Sequence, residues 1–307
     1  MKRKRPIVIG SISFDVIFSV HNEFKKEIIV KDSQVSDITM MLTANKKQVF
    51  FGGTAGNIAY GLGIQGYEPV VISAGKDFIG EFNTHLVNNG VDTRVKIFEK
   101  EYTATFYAIS DKLRDQIGIF QPNAHEYIED LDLTDFITEK NEFGVAICSP
   151  GTGKSILRHA KQIREMFGKQ IKLIADPSQI LSIFFTGEDM KQLLNISDIF
   201  IGNEVEIEQL KKLLDCEIAD LFRYGLEAVI ETKGAKGCVV YYPNKDGVKL
   251  DAFKVDNFLE ATGAGDAFRS GFIGGLLDNK EILEAAEQGM QVAARSVQYI
   301  GGQTYKL

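Results

Sequence analysis

Thr262-Gly-Ala-Gly-Asp-Ala-Phe268 joins a glycine-rich turn to a carboxylate and then to a helical pattern, with Phe268, Phe272, Ile273 and Leu276 forming an apolar stripe. Glycines at 263 and 265 leave backbone N–H groups free to converge at the helix N-terminus, where the macrodipole favours negative charge. A loop of this kind can stabilise charge on a phosphoryl group in transit, while a carboxylate at its tip takes the proton from an attacking hydroxyl. Asp266 is the candidate base, and Gly263, Ala264 and Gly265 are the candidate anion hole. The competing reading is a glycine turn with Asp266 as an ordinary helix cap.

Three further clusters carry residue types suited to the same chemistry. Phe51-Gly-Gly-Thr-Ala-Gly-Asn57 is a second glycine-rich loop opening a helix. Gly52 and Gly53 permit close backbone approach, and Asn57 offers both donor and acceptor. Asp15 follows the first apolar run, at the edge where open α/β sheets bind ligands. Together these groups suit the vicinal hydroxyls of a sugar, although each alone reads equally as a cap or a surface polar residue. Glu231-Thr-Lys-Gly-Ala-Lys-Gly237 places Thr232, Gly234 and Gly237 where a hydroxyl and backbone amides can cradle phosphates, or where the chain simply turns into a hairpin. Asn203-Glu-Val-Glu206 opens another helix, with Asn203 and Glu206 spaced to face one Mg²⁺ ion or its waters, or to form a solvated acidic helix start.

Cys148-Ser-Pro-Gly-Thr-Gly-Lys-Ser155 looks like a phosphate-binding loop but has Cys148 where the pattern needs glycine, and Pro150 removes an amide. Gly10-Ser-Ile-Ser-Phe14 has one glycine after the first strand, so a dinucleotide fingerprint fails too.

The elements that must position these residues alternate. Short β-branched runs at Ile7–Ile9, Val70–Ile72, Val145–Cys148, Ile171–Ala175, Ile199–Ile201, Val229–Ile230 and Cys238–Tyr242 read as buried strands. Helical patterns at Gly56–Gly63, Gly80–Asn89, Ile156–Phe167, Val205–Leu214 and Ile282–Val297 lie between or after them. The alternation predicts an α/β fold, a doubly wound and mainly parallel sheet flanked by helices, over residues 1–307 as a single domain. Residues 16–50 and 95–122 break the rhythm with alternating stretches such as Thr103–Ile109, and are expected to form a small projecting β-sheet lid.

Composition narrows the function classes. The chain has 307 residues, with 35 Lys and Arg against 42 Asp and Glu, a formal charge of −7 that argues against nucleic acid as the main partner. The basic run Lys2–Arg5 reads as a solvated tail. Ile7–Val20 is interrupted by Asp15 and lacks a small-residue cleavage site, so it is not expected to be a signal peptide. No stretch approaches a membrane span. Cys148, Cys216 and Cys238 lack metal-ligand spacing and read as reduced thiols, which with the other features points to the cytoplasm.

Taken in this order, the motifs resemble the ribokinase-like family, also called the phosphofructokinase B family of carbohydrate kinases, from Ile7 to Tyr305. Gly52–Asn57 resembles the N-terminal sugar-binding signature, Asn203-x-x-Glu206 the Mg²⁺-associated motif, and Thr262–Asp266 the C-terminal catalytic signature. The resemblance implies an ATP-dependent kinase with Asp266 as base, residues 263–266 as anion hole, Asn203 near the nucleotide, Glu206 acting on Mg²⁺ through water, and the projecting sheet as substrate lid. Thr103–Ile109, Asp115–Ala124, Gly265–Arg269 and Gly301–Tyr305 are similar to segments of microbial adenosine and nucleoside kinases. That similarity implies a nucleoside acceptor, adenosine first. The alternatives are a ribokinase- or fructokinase-type sugar kinase and a catalytically silent nucleotide-binding protein. In the expected lid, Phe106 and Phe120 could stack on a base and Gln116 could bond a purine edge, or the rings could simply pack the lid down. Glu260-Ala261 stands where many members have Asp-Thr or Asp-Pro, and in potassium-dependent relatives that Asp takes part in a monovalent-cation site, so activation by such a cation stays open. The expected partners are small molecules, with the chain a monomer or a homodimer paired through an exposed lid edge.

Overall fold

The computed structural model describes residues 3–24, 41–113, 115–151, 153–178 and 181–307, apart from the side chain of Ser182. Part of the expected lid segment 16–50 and Thr152 of the Cys148–Ser155 run lie outside the described residues.

Runs of apolar, β-branched residues bury both faces of the central strands, as in Val70–Gly75, where every residue is buried. The main sheet contains β1 (Arg5–Ile9), β4 (Val70–Gly75), β5 (Asp92–Ile97), β8 (Phe143–Cys148), β9 (Lys172–Ala175), β10 (Ile199–Asn203), β11 (Ala228–Thr232), β12 (Cys238–Tyr241) and β13 (Val248–Leu250). Its order is β13-β12-β11-β10-β9-β8-β1-β4-β5, parallel except for the β11–β12 and β12–β13 pairs. Alternation along β1 sends Ile7 and Ile9 into one core and Val8 into the other. Helices α3 (Gly153–Phe167), α4 (Gly187–Ile196) and α5 (Glu204–Leu214) cover the first face. Helices α1 (Thr54–Ile64), α2 (Glu81–Asn88), α6 (Ala264–Leu277) and α7 (Ile282–Ser296) cover the second. No helix among the described residues is long and apolar enough to cross a membrane.

The contact between α1 and α6 positions the site. A Cβ on Gly61 would stand 2.4 Å from Ser270 Oγ, so the glycine lets the two helices approach closely. Their N-termini therefore lie side by side, although some 200 residues separate them in sequence.

A second sheet, ordered β3-β2-β6-β7, projects from the first, with β2 (Ser13–Val20), β3 (Ala44–Gly52), β6 (Ala104–Ser110) and β7 (Gln116–Gln121). Only Gly10–Ile12 separate β2 from β1, so the small sheet hangs from the C-terminal edge of the large one. The expectation that 95–122 belongs to the lid starts too early, because β5 (Asp92–Ile97) pairs with β4 in the main sheet. As an edge strand β5 is only half-buried, so its sequence alternates as a lid strand would. The sequence reading also missed α4, whose start is marked by the capping box of Thr186 and Asp189.

Candidate active site

Gly263 caps α6 with φ 76°, a left-handed conformation that glycine adopts without strain. Asp266 thus falls in the first turn of the helix, not at its cap, and its Oδ2 accepts a 2.8 Å hydrogen bond from Asn57 Nδ2 on α1. The carboxyl pKa is pushed up to about 7, chiefly by removal of water, with Arg269 and the Asn57 bond opposing and Asp176 and Asp15 adding to the rise. A base poised near neutrality suits proton abstraction from a hydroxyl. The turn expected to form an anion hole differs in one detail from expectation. Ala264 N–H donates to Ala261 O at 3.0 Å, so it closes the local turn and does not face outward. The amides around Gly263 and Gly265 are left to receive charge.

Asn57 is held as firmly as the carboxylate it touches. Gln303 Nε2 donates to Asn57 Oδ1 at 3.1 Å and to Gly52 O at 3.2 Å. A Cβ on Gly302 would meet the Asn57 amide at 2.8 Å, and one on Gly263 would meet Gly302 Cα at 2.9 Å. The Gly301-Gly-Gln303 segment therefore straps both glycine loops together. Sequence reasoning noted this run only for its resemblance to nucleoside kinases; the glycine pair was the available sign of close approach.

Gly52 makes room for an acid: a Cβ there would lie 2.3 Å from Asp15 Oδ2. Gly53, with φ 82°, caps α1 against Ser11 O and Ile12. Asp15 lies on lid strand β2, accepts a 3.0 Å bond from Ser13 Oγ, and has its pKa raised to about 6 by burial, with Ser13 opposing and Glu260 reinforcing. Strand register pairs Asp15 with Phe50 and Phe106, and Phe106 with Phe120, so these side chains share one face of the lid. Gln116, four residues before Phe120 on β7, is on that face as well, its Nε2 donating to Ser110 Oγ at 3.2 Å. The work of packing the lid down falls to Phe14 and Phe51 on the opposite face, where Phe51 stacks on Phe82 with centroids 4.5 Å apart. Phe106 and Phe120 are left facing the crevice.

On the other side of α6, Thr232, Gly234 and Gly237 line a cavity of about 530 Å³ together with Ala264 and Gly265. Phe253, Val255, Phe258, Met290 and Val297 supply its apolar walls. The sequence reading found the polar rim of this cavity and missed the walls, because 252–258 follows neither helical nor strand periodicity. Gly237 has φ 92°, and a Cβ there would lie 1.9 Å from Leu250 O, so the hairpin turn and the cavity rim are the same residues. Lys154 is exposed and lines a different groove, with Leu157 and Arg158 on α3.

Asn203 and Glu206 form a reciprocal capping box at the start of α5: Asn203 Oδ1 accepts from the Val205 and Glu206 amides, and Glu206 Oε2 accepts from the Asn203 amide. Both readings of this motif therefore meet in the same residues, and the Asn203 carbonyl oxygen is committed to the helix. Glu206 is buried, with its pKa raised by loss of water and by Asp176. Among the described residues no group of three or more His, Cys, Asp or Glu side chains is arranged to hold a metal. A cation that brings its own waters and phosphate ligands fits this setting, because Asp15, Asp176, Glu206 and Asp266 outnumber the buried Arg269. Glu260 is engaged at both oxygens, by Thr262 Oγ1 at 2.7 Å and by the Gly301 amide at 3.0 Å, a use that ties the strap to the glycine turn before α6.

The sequence profile of pfkB family carbohydrate kinases matches residues 8–306. The chain belongs to that family. This pfkB family kinase is accordingly a phosphotransferase acting on a hydroxyl group. Its sequence is 26% identical over 306 residues to a nucleoside kinase of Methanocaldococcus jannaschii, covering 99% of this chain and 93% of that one. The crystal structure of the Methanocaldococcus jannaschii nucleoside kinase superposes with a TM-score of 0.86 at 22% identity, covering 99% of this chain and 94% of that chain. A ribokinase of Haemophilus influenzae is 27% identical, covering 98% of the kinase and 95% of the relative. A Burkholderia thailandensis nucleoside kinase in complex with inosine superposes with a TM-score of 0.82 at 21% identity, covering 98% and 93%.

Proposed function

We propose that the enzyme transfers the γ-phosphoryl group of ATP to the 5′-hydroxyl of a nucleoside, with adenosine the leading acceptor. The observation that carries this reading is the row Asp15–Phe106–Phe120 on one lid face, which offers an acid for ribose hydroxyls and two rings for a flat base. A free sugar presents no flat base for the two rings to stack on. The nucleoside kinase relatives, one of them in complex with inosine, support a purine nucleoside, and the ribokinase relative keeps a free sugar as the alternative.

In this reading Asp15, the Gly52–Gly53 turn and Asn57 hold the ribose. Asp266 takes the 5′-hydroxyl proton, and the amides about Gly263 and Gly265 receive charge on the phosphoryl group. Thr232, Gly234 and Gly237 touch the nucleotide phosphates, and the apolar cavity beside them takes the adenine of ATP. Glu206 would hold Mg²⁺ through its waters beside Asn203, and the ion would neutralise phosphate charge. The main sheet and its lid work as one kinase unit.

An ATP-consumption screen across nucleosides and free sugars tests the proposal. Adenosine should be used with kcat/KM at least about tenfold above ribose or fructose, the scale of discrimination one well-built pocket supplies. Ribose or fructose preferred over every nucleoside would make the protein a sugar kinase, and no turnover with any acceptor would make it a silent nucleotide-binding protein.

A further inference from the structure

Arg269 lies one turn along α6 from Asp266 and is only 6% exposed. A guanidinium so far from water must be paired, since an isolated buried charge is costly. Its Nη2 donates to Asp176 Oδ1 at 2.6 Å, and Asp176, just beyond β9, is fully buried. The other edge of the guanidinium lies against the glycine turn, because a Cβ on Gly265 would stand 2.9 Å from Arg269 Nη1. One cation thus touches both a structural partner and the backbone that leads into the base.

The charges around Asp266 show what this placement does. Arg269 approaches from its own helix, Asp176 from the end of β9, Asp15 from lid strand β2, and the Tyr305 hydroxyl from the C-terminal strap. Of these groups only Arg269 is positive, and it also feels Glu206 at the start of α5. A salt bridge serving stability alone would need no contact with the anion turn. We propose that Arg269 is a positioning residue that keeps the Asp266 carboxylate ionised and aimed, and that Asp176 both anchors the guanidinium and tempers its effect. The inference rests on the reading of Asp266 as the base.

The two partners act on Asp266 with opposite sign, and that makes the proposal testable. The pH dependence of kcat/KM is measured on the full chain with ATP and the acceptor that the screen ranks first. Arg269→Met removes the favourable charge, so the acidic limb should move up by about one pH unit or more. Asp176→Asn removes a repelling carboxylate and leaves the guanidinium unopposed, so the limb should move down. Arg269→Lys keeps the charge and should stay close to wild type in limb position while losing some kcat through the altered geometry. If Arg269→Met does not fold, the downward limb of Asp176→Asn against the unmoved limb of Arg269→Lys supports the proposal by itself. Limbs that coincide with wild type, or that move in the same direction in Arg269→Met and Asp176→Asn, overturn it and leave the pair a plain structural salt bridge. Asp266→Asn run alongside separates the two claims: a variant that keeps its activity means that the base assignment has failed and takes the role of Arg269 with it, whereas a collapse of activity with coincident limbs overturns the role of Arg269 alone.

Discussion

On the α6 wall of the crevice, Asp266 is bonded to Asn57, Asn57 to Gln303, and Gln303 to Gly52 O, each side chain fixed by the next. On the lid wall, Phe120 is 50% exposed and the Gln116 amide donates to Ser110 on the neighbouring strand. One wall is braced by helices packed closely enough that only glycine fits between them, and the other is a four-stranded sheet tied to the body by short connections such as Gly10–Ile12 and Gly53 and packed down by Phe14 and Phe51. The difference separates two tasks. Charge stabilisation and proton transfer need groups fixed before the substrate arrives. Acceptor choice needs a surface that the substrate itself completes.

The comparison breaks if the two walls respond alike to mutation. Asp266→Asn carries the largest expected effect, a fall in kcat of about 10²–10⁴ with the KM for ATP nearly unchanged. Because its pKa is raised to about 7, the wild-type carboxylate is protonated as pH drops through neutrality. The kcat/KM should therefore fall on the acid side and level off above it. A variant within about fivefold of wild type would remove Asp266 from the chemistry. Phe106→Ala comes next, costing about 1–3 kcal/mol in kcat/KM for a nucleoside, the scale of a lost base–aromatic stack. Residual turnover of ribose should barely change. An equal loss for ribose would mean that the ring props up the lid. Lys154→Ala should be the mildest: its ammonium is exposed on α3, away from the cavity beside Gly265, so kcat and the KM for ATP should match wild type. A collapse in either, with the fold intact, would restore the rejected phosphate loop.

The α6 wall was the more legible of the two in the sequence. Gly53 and Gly263 adopt positive φ at the starts of α1 and α6, and a glycine demanded by backbone geometry leaves a mark that survives without any knowledge of the fold. The parallel sheet was legible for a similar reason, since strands buried on both faces must be continuously apolar. Asn203 and Glu206 were singled out for a Mg²⁺ ion or a helix start, but the sequence could not show that a capping box uses the amide oxygen. Asp176 escaped altogether, and Gln303 was noted only as part of the Gly301–Tyr305 run, without a role. Asp176 matters through Arg269, and Gln303 through Asn57 and Gly52, partners brought near only by the three-dimensional fold, and nothing in a local window marks such pairings.

The strap at Gly301–Gln303 ties catalysis to the covalent integrity of the chain. Tyr60 Oη donates to Tyr305 O at 2.7 Å, and Tyr305 is fully buried, so the strap is anchored beyond the point where it crosses the site. A single peptide bond cut just before Gly301 would leave Asp266, Asn57 and Asp15 all on the body of the protein. It would nevertheless turn the clamp that aligns Asn57 into a separate piece held by non-covalent contacts alone and free to dissociate. Dilution would then govern activity, and the same peptide, added back, would act as a cofactor.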